Sequence, residues 1–345
     1  MLFISDLMPL TPTELDYREL QRRYPFIHQS PPLPLPDLLR RLQNYPEYEQ
    51  TYQRHFSRIE LKTHSTEQVF QRPQAVEVVM HPRFVPGILH SHDFFELLYV
   101  LNGTVEHYTD NTPQLLKPGD ICIIAPKVIH GIGTCKKDTL LMSVVLRAST
   151  FAETFFNILQ EDAMLTAFFT RALYSGGTGI LYFNTGYDRE IQQILLTMLY
   201  EFRSNKPYND IMLNNLMTAC FILLLRSHAD SVKTKDASPN SAIVPILHYL
   251  QNNSENLTLH QLAQHFSYSD RQMTRLLVQS TGQNFTQLIQ RLKLEKARIL
   301  LAHSNLSIQE IINRCGYTNP TYFYRLFAKN FQMTPASYRQ KQLGI

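Results

Sequence analysis

The sequence predicts a multidomain α+β protein, with an N-terminal strand domain flanked by helices and a C-terminal domain built only from helices. Two regions carry this prediction. Residues 66–150 contain short apolar or β-branched runs separated by turn residues, and residues 242–345 contain a repeated pair of short helices. At 345 residues, the chain is long enough for two domains and an appended arm.

The chain divides into five predicted segments. Residues 1–65 form a helical arm that packs on the strand domain or on a partner subunit, with an extended stretch at PPLPLP because each proline removes a backbone donor. The strand domain covers residues 66–150. Residues 151–229 form a helical packing or dimerisation segment, residues 230–241 a polar linker, and residues 242–345 the helical C-terminal domain.

Four apolar runs predict the main strands of the strand domain: VEVVM, FELLYVL, DICIIAP and TLLMSVVL. The Asn102-Gly103 pair predicts a tight hairpin between two of them, since a type I′ turn requires positive φ at both central positions. Pro118-Gly119-Asp120 marks a second turn.

Two amphipathic helices are predicted after the strand domain. Apolar residues at helical spacing mark them, namely Ile191, Ile194, Leu195, Met198, Leu199 and Phe202 in the first, and Leu213, Leu216, Met217, Cys220, Phe221 and Leu224 in the second. Such faces pack on the strand domain alone, or also against a second copy of the chain in a homodimer. The pattern leaves both arrangements open, because amphipathicity does not name the partner.

Composition predicts a cytoplasmic protein without a membrane span. The longest apolar candidate, ACFILLL, is far shorter than the roughly 20 residues of a membrane helix. The first residues carry acids and no basic cluster, unlike a signal peptide. The four cysteines are scattered without a CxxC pair, which favours reduced thiols over a disulfide framework.

Basic charge is concentrated in the last third of the chain. Residues 241–345 hold 11 Lys and Arg against 4 Asp and Glu, a balance of +7. Residues 1–240 hold 22 against 25, a balance of −3. A basic domain on a mildly acidic body indicates that this domain meets a polyanion.

The same third contains an internal repeat of two helix-turn-helix units. LTLHQLAQHFSYSDRQMTRLLVQ aligns with LSIQEIINRCGYTNPTYFYRLFAKN. Both stretches open with a capping box, Thr-x-x-Gln in the first and Ser-x-x-Glu in the second. The second helix of each unit begins after an N-cap residue, Ser269 or Asn319. Gly316 supplies the tight turn of the second unit, where the first unit has Ser267.

The second helix of each unit presents a polar outer stripe. The candidate DNA-binding residues on these stripes are Arg271, Thr274 and Arg275 in the first unit, and Thr321, Tyr322 and Arg325 in the second. Arginine can donate to guanine in the major groove, and hydroxyl or aromatic groups can contact thymine methyls or phosphates. The alternative for each arginine is a solvated position or a phosphate contact without sequence information.

A long helix between the units predicts their spacing. It starts at Phe285, continues to about Leu301, and at ~1.5 Å per residue spans ~27 Å. Successive major-groove faces lie ~34 Å apart. One chain could therefore place two recognition helices in adjacent major-groove segments, with some bending of the DNA.

A cluster of candidate metal ligands lies in the stretch LHSHDFFELLYVLNG. His90, His92 and Glu96 share the same parity along a strand, and His130 can join them from a facing strand. Three imidazoles and a carboxylate form a ligand set for Zn, Mn, Fe or Ni. The alternative, which the sequence favours, is a metal-free polar pocket in which the same four residues bind a sugar-like or acidic effector.

Residues 308–339, IQEIINRCGYTNPTYFYRLFAKNFQMTPASYR, resemble the motif of AraC/XylS-type bacterial transcription regulators, and the resemblance covers about the last hundred residues. The departures are mild. Tyr317 replaces the usual Phe, and Gln332 replaces a common Gly. Asn319 and Thr321 stand where Asp or Ser is frequent. The resemblance implies promoter DNA binding, usually as a dimer, under the control of the N-terminal domain.

The strand domain resembles the cupin-like, RmlC-type barrel that often precedes such DNA-binding domains. The stretch HSHDFFELLYVLNG is similar to the first cupin motif, although the glycine that usually leads it is displaced to Gly87. The stretch from Pro118 to His130 is similar to the second motif. The resemblance implies an effector-binding sensor domain.

These features together predict a ligand-responsive, sequence-specific DNA-binding transcription regulator that is not an enzyme. The residues do not distinguish an activator from a repressor, but the family resemblance favours an activator. No cofactor is expected apart from the alternative of a divalent metal in the pocket. Expected partners are promoter DNA, a small-molecule effector, a second copy of the chain and RNA polymerase. Two alternatives stay open: a cupin metalloenzyme, such as a dioxygenase or isomerase, with an appended DNA-binding domain, and a metal-sensing regulator. Paired helix-turn-helix units favour the first reading, because an enzyme has no use for two base-reading helices.

Overall fold

The computed structural model separates the chain into two compact units, one rich in strands and one built from helices. The first comprises residues 1–158 and 178–237, and the second comprises residues 159–177 and 238–345. The structure describes the chain except for residues 1, 29–30, 57–63, 66–75, 110–111, 149–150, 152–167, 170–171, 174–178, 205, 235–242, 305 and 344–345. The predicted α+β class, with a β-rich N-terminal domain and a helical C-terminal domain, is confirmed.

The first unit begins with short helices and ends with two long ones. Its helices are α1 (Ile4–Leu7), α2 (Pro12–Arg23), α3 (Pro25–His28), α4 (Leu35–Leu42), α5 (Pro46–Phe56), α6 (Arg189–Ser204) and α7 (Asn209–His228). Its strands are β1 (Leu33–Pro34), β2 (His64–Ser65), β3 (Val76–Met80), β4 (Ile88–Leu89), β5 (Ser91–His92), β6 (Phe95–Asn102), β7 (Val105–Thr109), β8 (Thr112–Leu116), β9 (Asp120–Ile124), β10 (His130–Ile132), β11 (Leu140–Leu146), β12 (Ile180–Asn184) and β13 (Lys233–Thr234).

The strands form separate sheets. A six-stranded antiparallel sheet has the order β13-β12-β9-β6-β11-β3, and a three-stranded sheet has the order β10-β7-β8. Two short parallel pairs, β1-β4 and β2-β5, join the N-terminal arm to the strand domain. Within the described part of the chain these sheets do not close into the predicted barrel. The central strands are buried on both faces, as in β6, where all residues but the last are buried.

The type I′ hairpin predicted at Asn102-Gly103 is wrong, because only Gly103 of the pair has a positive φ. Gly103 has a φ of +72°, but β6 and β7 lie in different sheets, so the turn carries the chain from one sheet to the other. Its surroundings explain the change of direction. The Asn102 side chain donates to the Asp138 carbonyl at 2.7 Å, and a Cβ at Gly103 would lie 2.8 Å from Thr139 Cα. Contacts with a distant loop therefore outweigh the local preference for a hairpin.

A strand also interrupts the segment 151–229, for which only helices were predicted. β12 pairs with β9 from Ile180↔Ile124 to Asn184↔Asp120 and so extends the six-stranded sheet. The sequence ILYFN is equally compatible with a buried helix turn or a strand by its short apolar pattern. These residues form a strand because they pair with the free edge of β9, which lies more than fifty residues earlier in the chain. Residues 152–167 of the same segment lie outside the described part of the chain.

The N-terminal arm packs on the strand domain through a buried ion pair. Arg83 is 2% exposed and Glu14, on α2, is 5% exposed. The guanidinium donates from Nε to Oε1 at 2.8 Å and from Nη2 to Oε2 at 2.9 Å. Around this pair the arm has its own apolar core, with Tyr17, Leu38 and Phe84 among its buried members. The helical arm therefore belongs to the first unit rather than projecting from it.

Helices α6 and α7 pack against each other and against β3. Phe221 of α7 meets Phe151, whose ring in turn meets Phe95 of β6. This aromatic row anchors the helices on the six-stranded sheet, in agreement with the predicted apolar faces. By length and composition, Asn209–Ser231 is long and apolar enough to cross a membrane, unlike the short span the sequence suggested. Apolar residues outside its buried face, such as Ile211, Met212 and Leu223, raise the mean hydropathy of the helix.

The predicted linker, residues 230–241, is described only at its start. Ala229–Ser231 form a 3₁₀ turn, and β13 then pairs with β12 at Tyr182↔Lys233. The first linker residues therefore belong to the six-stranded sheet. Residues 235–241 lie outside the described part of the chain.

The second unit contains both helix-turn-helix units as predicted. Its helices are α8 (Ile243–Asn253), α9 (Leu259–His265), α10 (Asp270–Thr281), α11 (Phe285–His303), α12 (Ile308–Arg314), α13 (Pro320–Phe331) and α14 (Pro335–Leu343). The capping boxes at Thr258 and Ser307 are confirmed, as are the N-caps Ser269 and Asn319. In each cap, a side chain bonds a backbone N–H that has no partner within its helix. Because the two groups are close in sequence, the sequence alone predicts these caps well.

The turns of the two units have the same backbone conformation. Gly316 has a φ of +69° and Ser267, at the equivalent position, has a φ of +59°. Gln332, which replaces a common Gly, also has a positive φ of +57° and caps α13. Non-glycine residues in this region are uncommon, because the Cβ crowds the backbone. Ser267 and Gln332 therefore adopt the left-handed conformation that glycine usually takes at these turns.

Contacts around the second turn tie the two helix-turn-helix units together. A Cβ at Gly316 would lie 2.5 Å from the carbonyl oxygen of Glu255, which precedes the first unit. Lys293 of α11 donates to the Gly316 carbonyl at 2.9 Å, and Lys296 forms an ion pair with Glu255. The long helix α11 thus fixes both units through side chains as well as through its length.

Candidate functional site

Backbone pairing brings the predicted pocket residues together. His90 forms an isolated antiparallel bridge with His130, with N–O distances of 2.9 Å in both directions. His92 ends β5, and Glu96 is the second residue of β6 after a two-residue bend. His130 is therefore a hydrogen-bonded neighbour of His90, and its strand β10 belongs to a different sheet from β6, which carries Glu96.

The four side chains form one buried cluster. Their ligand atoms all lie within 4.8 Å of one another. His92 Nε2 and His130 Nε2 lie 3.2 and 3.1 Å from the same Glu96 oxygen, Oε2. His92, Glu96 and His130 are 1%, 7% and 0% exposed, and the half-buried His90 ring lies 4.4 Å from the His130 ring. The structure thus brings together all four residues that the sequence predicted.

Two further side chains reach this cluster. Ser143 of β11 donates a short hydrogen bond from Oγ to Glu96 Oε1. His81 lies close enough to interact electrostatically with Glu96 and His90. A serine inside the apolar run LLMSVVL was a usable signal for Ser143. The sequence carried no comparable signal for His81, which lies just after β3.

Burial controls the protonation of the cluster. It lowers the pKa of His90 to about 4, and the neighbouring His130 acts in the same direction while Glu96 opposes it. Burial alone would raise the pKa of Glu96, but hydrogen bonds from His130 and His92 outweigh it and hold that pKa well below its ordinary value. The cluster therefore keeps a buried carboxylate beside His90, a neutral imidazole at pH 7.

A polar row continues from this cluster across the strand domain. The His107 ring lies 5.7 Å from the His130 ring, and His107 Nδ1 lies 3.2 Å from the Tyr182 hydroxyl and 3.8 Å from Cys122 Sγ. Tyr182 lies on β12, within the segment predicted as helical, so sequence reasoning missed it. Burial raises the pKa of Tyr182 above its ordinary value and keeps the phenol protonated.

The outer stripe of α10 is exposed on the side opposite its core. Met273 and Leu277 are fully buried, whereas Arg271 and Arg275 are exposed. The half-buried Thr274 donates its hydroxyl to the Asp270 carbonyl at 2.8 Å, one turn earlier. The outer stripe of α10 therefore presents two exposed guanidinium groups that can donate hydrogen bonds to DNA. The Thr274 hydroxyl already donates its proton, so it can only accept a further hydrogen bond.

The outer stripe of α13 differs in one respect. Thr321 and Arg325 are exposed, but Tyr322 is half-buried and accepts a hydrogen bond from Gln290 of α11 at 2.7 Å. The Arg325 guanidinium lies over the Tyr322 ring, 5.4 Å from its centre. Tyr322 therefore orients Arg325 through its ring and connects α13 to the long helix α11 through its hydroxyl. The helical spacing predicted Tyr322 as a DNA-binding residue and did not predict this role.

Family models match both units of the chain. One described as an AraC-like ligand binding domain matches residues 81–220, and one described as a helix-turn-helix domain matches residues 262–341. The HTH-type transcriptional activator RhaS of Enterobacter sp. (strain 638) is 27% identical over 268 residues, which cover 76% of this chain and 92% of that protein. RhaS of Escherichia fergusonii is 26% identical over 285 residues, which cover 81% of this chain and 97% of that protein.

Solved structures also resemble the chain. ToxT from Vibrio cholerae is 14% identical, with a TM-score of 0.35, and the match covers 76% of this chain and 97% of ToxT. The C-terminal domain of AraT, a response regulator from Geobacillus stearothermophilus, is 31% identical with a TM-score of 0.28. That match covers 29% of this chain and 84% of the solved domain. The family matches place a ligand-binding domain before a helix-turn-helix domain, and the chain belongs to the AraC family of ligand-responsive transcription regulators.

Proposed function

We propose that the protein activates transcription from promoters that it recognises with α10 and α13. The observation that carries the proposal is the pair of helix-turn-helix units, each of which exposes arginine on the outer face of its second helix. The RhaS relatives, named as transcriptional activators, support activation over repression. We take the protein to act in the cytoplasm, with RNA polymerase as a further partner, and not to be an enzyme.

Arg275→Ala and Arg325→Ala are each expected to weaken specific operator binding by ~1–3 kcal/mol, because a guanidinium that contacts a base edge loses its hydrogen bonds. The measurement is a gel-shift or anisotropy titration of the full chain on its operator and on scrambled DNA. A selective loss on the operator marks a base contact. An equal loss on both DNAs assigns the residue to phosphate, and unchanged affinity removes it from the recognition surface.

A charge-matched control comes from the first unit. Arg22→Ala removes the same charge from an exposed side chain of the N-terminal arm, and operator affinity is expected to stay unchanged. Tyr322→Phe adds a second comparison. It keeps the ring beneath Arg325 but removes the hydroxyl that Gln290 contacts, so its effect measures how far orientation of α13 contributes to binding.

We assign effector binding to the cluster of His90, His92, Glu96 and His130 in the ligand-binding domain. A small molecule that binds two arrangements of the protein with different affinity shifts their populations and thereby changes DNA binding. A thermal-shift screen of the full chain against sugars, small acids and divalent metals identifies the class of effector. A compound that raises the melting temperature of the wild-type chain and fails to do so in Glu96→Gln is the expected result.

We also propose that the protein forms a homodimer through the outer face of α7. Ile211 and Met212 are 60% and 47% exposed, although the opposite face of the helix is already buried in its own unit. We assign these exposed apolar residues to a contact with a second copy of the chain, because the family that the chain resembles usually binds DNA as a dimer. Residues 230–241 would then set how both DNA-binding domains reach their half-sites.

Ile211→Glu is expected to convert the dimer to a monomer, because it places a charge in an apolar contact without disturbing the buried face of α7. Sedimentation equilibrium gives the molecular mass, and the melting temperature confirms folding. Ser227→Glu adds the same charge at an exposed position in the last turn of α7 and is expected to leave the dimer intact. A wild-type chain that is monomeric at micromolar concentration would contradict the proposal.

A further inference from the structure

The core of the N-terminal arm contains a histidine. His28 ends α3 and is 8% exposed, and its Nε2 atom lies 2.8 Å from the hydroxyl oxygen of Tyr48, on α5. Its Nδ1 atom is buried and has no hydrogen-bond partner in the part of the chain that the structure describes. The ring therefore has one hydrogen-bond partner for two polar nitrogens.

An added proton fits badly on this ring. A neutral imidazole has one donor and one acceptor nitrogen, whereas an imidazolium has two donors. The Tyr48 hydroxyl can donate to a neutral Nε2 or, after rotation, accept from a protonated one. The second N–H of an imidazolium, at Nδ1, would face no acceptor among the described residues, and its charge would be buried. The docked arm therefore favours the neutral ring.

Charged groups of the described residues do not compensate for this cost. The titratable side chains beside the ring are two phenols, Tyr48 and, 5.7 Å from the Tyr48 ring, Tyr17 of α2. Charged side chains of α2, α4 and α5 form ion pairs of their own, namely Glu14 with Arg83, Asp16 with His55 and Arg54, Asp37 with Arg40, and Glu47 with Arg23. Burial is accordingly what lowers the pKa of His28, to about 4.

The same core holds the arm on the strand domain. Tyr17 and Tyr48 are buried in it together with Phe84, and Ile88 of β4 packs against it. Backbone pairing adds β1 to β4 and β2 to β5. The family match to a ligand-binding domain begins at residue 81, so helices α2 to α5 precede the matched region. A change that destabilises this core therefore loosens the attachment of the arm to the strand domain.

We propose that His28 is a pH-sensitive switch, in which protonation of the buried ring releases α2 to α5 from the strand domain in mildly acidic solution. In the released arm the pKa of the ring returns to its ordinary value of 6.5, whereas in the docked arm it is about 4. The docked arm therefore has its full stability above pH 6.5, and its opening constant rises up to about tenfold per pH unit as the pH falls from 6.5 towards 4. The inference goes beyond the proposed promoter recognition and does not rest on it.

Hydrogen exchange of the full chain tests the switch, with detection by mass spectrometry at pH 7.5 and pH 5.5 and correction for the intrinsic exchange rates. Protection of the α2 and α5 amides in the wild-type chain is expected to fall about tenfold between the two pH values, because the released ring binds a proton at pH 5.5 and the docked ring does not. At both pH values these amides should be less protected than those of β6, inside the six-stranded sheet, because the arm opens without unfolding the sheet.

Two variants assign the response to His28. His28→Phe keeps a ring in the core and removes the titration, but it also removes the hydrogen bond to Tyr48 and so lowers protection at both pH values. The ratio of protection between the two pH values is therefore the measured quantity, and it is expected to fall from about ten towards one. His28→Gln, which is polar and does not titrate, should give the same ratio and replaces the first variant if that one does not fold. His260→Phe is the matched control, because this exposed histidine lies in the second unit and should keep the wild-type ratio.

Three results would overturn the switch. The first is equal protection of α2 and α5 at the two pH values in the wild-type chain. The second is a tenfold loss that persists in both His28 variants, which would assign the response to another group such as His55. The third is protection of α2 equal to that of β6 at both pH values, which would mean that the arm opens only when the whole unit unfolds.

Discussion

Arg83→Ala is expected to destabilise the N-terminal unit by about 3–5 kcal/mol, the loss that follows when one partner of a buried ion pair is removed. The guanidinium holds both Glu14 oxygens at 2.8 and 2.9 Å. It also donates to the carbonyls of Met8, Pro9 and Lys137. Alanine would leave a buried carboxylate without a counter-charge, and it would release the start of the chain from the strand domain.

Hydrogen exchange measures this effect where it occurs. The backbone amides of α2 that follow Pro12 should lose several kcal/mol of protection, and the melting temperature of the unit should fall. Arg22→Ala provides the control, because its pair with Glu19 is exposed on both sides, at 69% and 52%, and such pairs contribute little. Equal protection of α2 in Arg83→Ala and the control would show that the arm is held by its apolar core instead.

The same pair gives a pH dependence with a definite sign. Burial alone would raise the pKa of Glu14, but hydrogen bonds from Arg83 and Thr11 outweigh it and lower that pKa below the ordinary value of 4.5. A carboxyl with a lowered folded-state pKa contributes stability above its unfolded-state pKa and loses it as pH falls through the folded value. The stability difference between wild type and Glu14→Gln should therefore be constant from pH 7 to about 5 and disappear only in more acidic solution.

Phe327→Ala is expected to destabilise the second unit by about 3–5 kcal/mol, the usual cost of removing a buried aromatic ring. The ring is fully buried and contacts Phe323, Phe331 and Tyr338 at centroid distances of 5.7, 4.5 and 5.8 Å. The cavity would open between α13, which carries Arg325, and α14. Calorimetry of the full chain should show the melting temperature of this unit falling by more than about 10 °C.

Operator binding should follow folding in this variant. At a temperature where the second unit of Phe327→Ala is unfolded, specific binding is lost, whereas Arg325→Ala loses affinity without a change in melting temperature. Tyr324→Ala is the matched control, because its ring lies on the same helix and is 38% exposed. If Phe327→Ala melts like this control, the aromatic cluster is not what holds α13 in place.

The helical half of the fold could be predicted because its signals are local. A hydroxyl at Ser307 and a carboxylate three residues later satisfy orphan backbone groups in any context, so the start of α12 was visible in the sequence. The same holds for Asn319 and the proline after it, at the start of α13. The burial of Met273 and Phe323 followed from the 3.6-residue period once these starts were known.

The strand half was harder to predict because its partners are distant in sequence. Gly103 adopts a positive φ, yet contacts with Asp138 and Thr139 send the chain to another sheet. β12 is a strand because β9 offers it an edge, not because ILYFN excludes a helix. Strand pairing depends on neighbours that a local pattern cannot identify.

The cluster residues could be identified from the sequence because His90, His92 and Glu96 lie within seven residues, but the expected continuous strand is broken by a bend between His92 and Glu96. Only the tertiary structure decided how they meet. The bridge between His90 and His130 and the hydrogen bond from Ser143 to Glu96 both join segments that are distant in sequence. Side-chain type is a property of one position, whereas the contacts of a side chain depend on every group around it. The residues of the cluster were therefore visible in the sequence, while their hydrogen bonds to one another and to Ser143 were not.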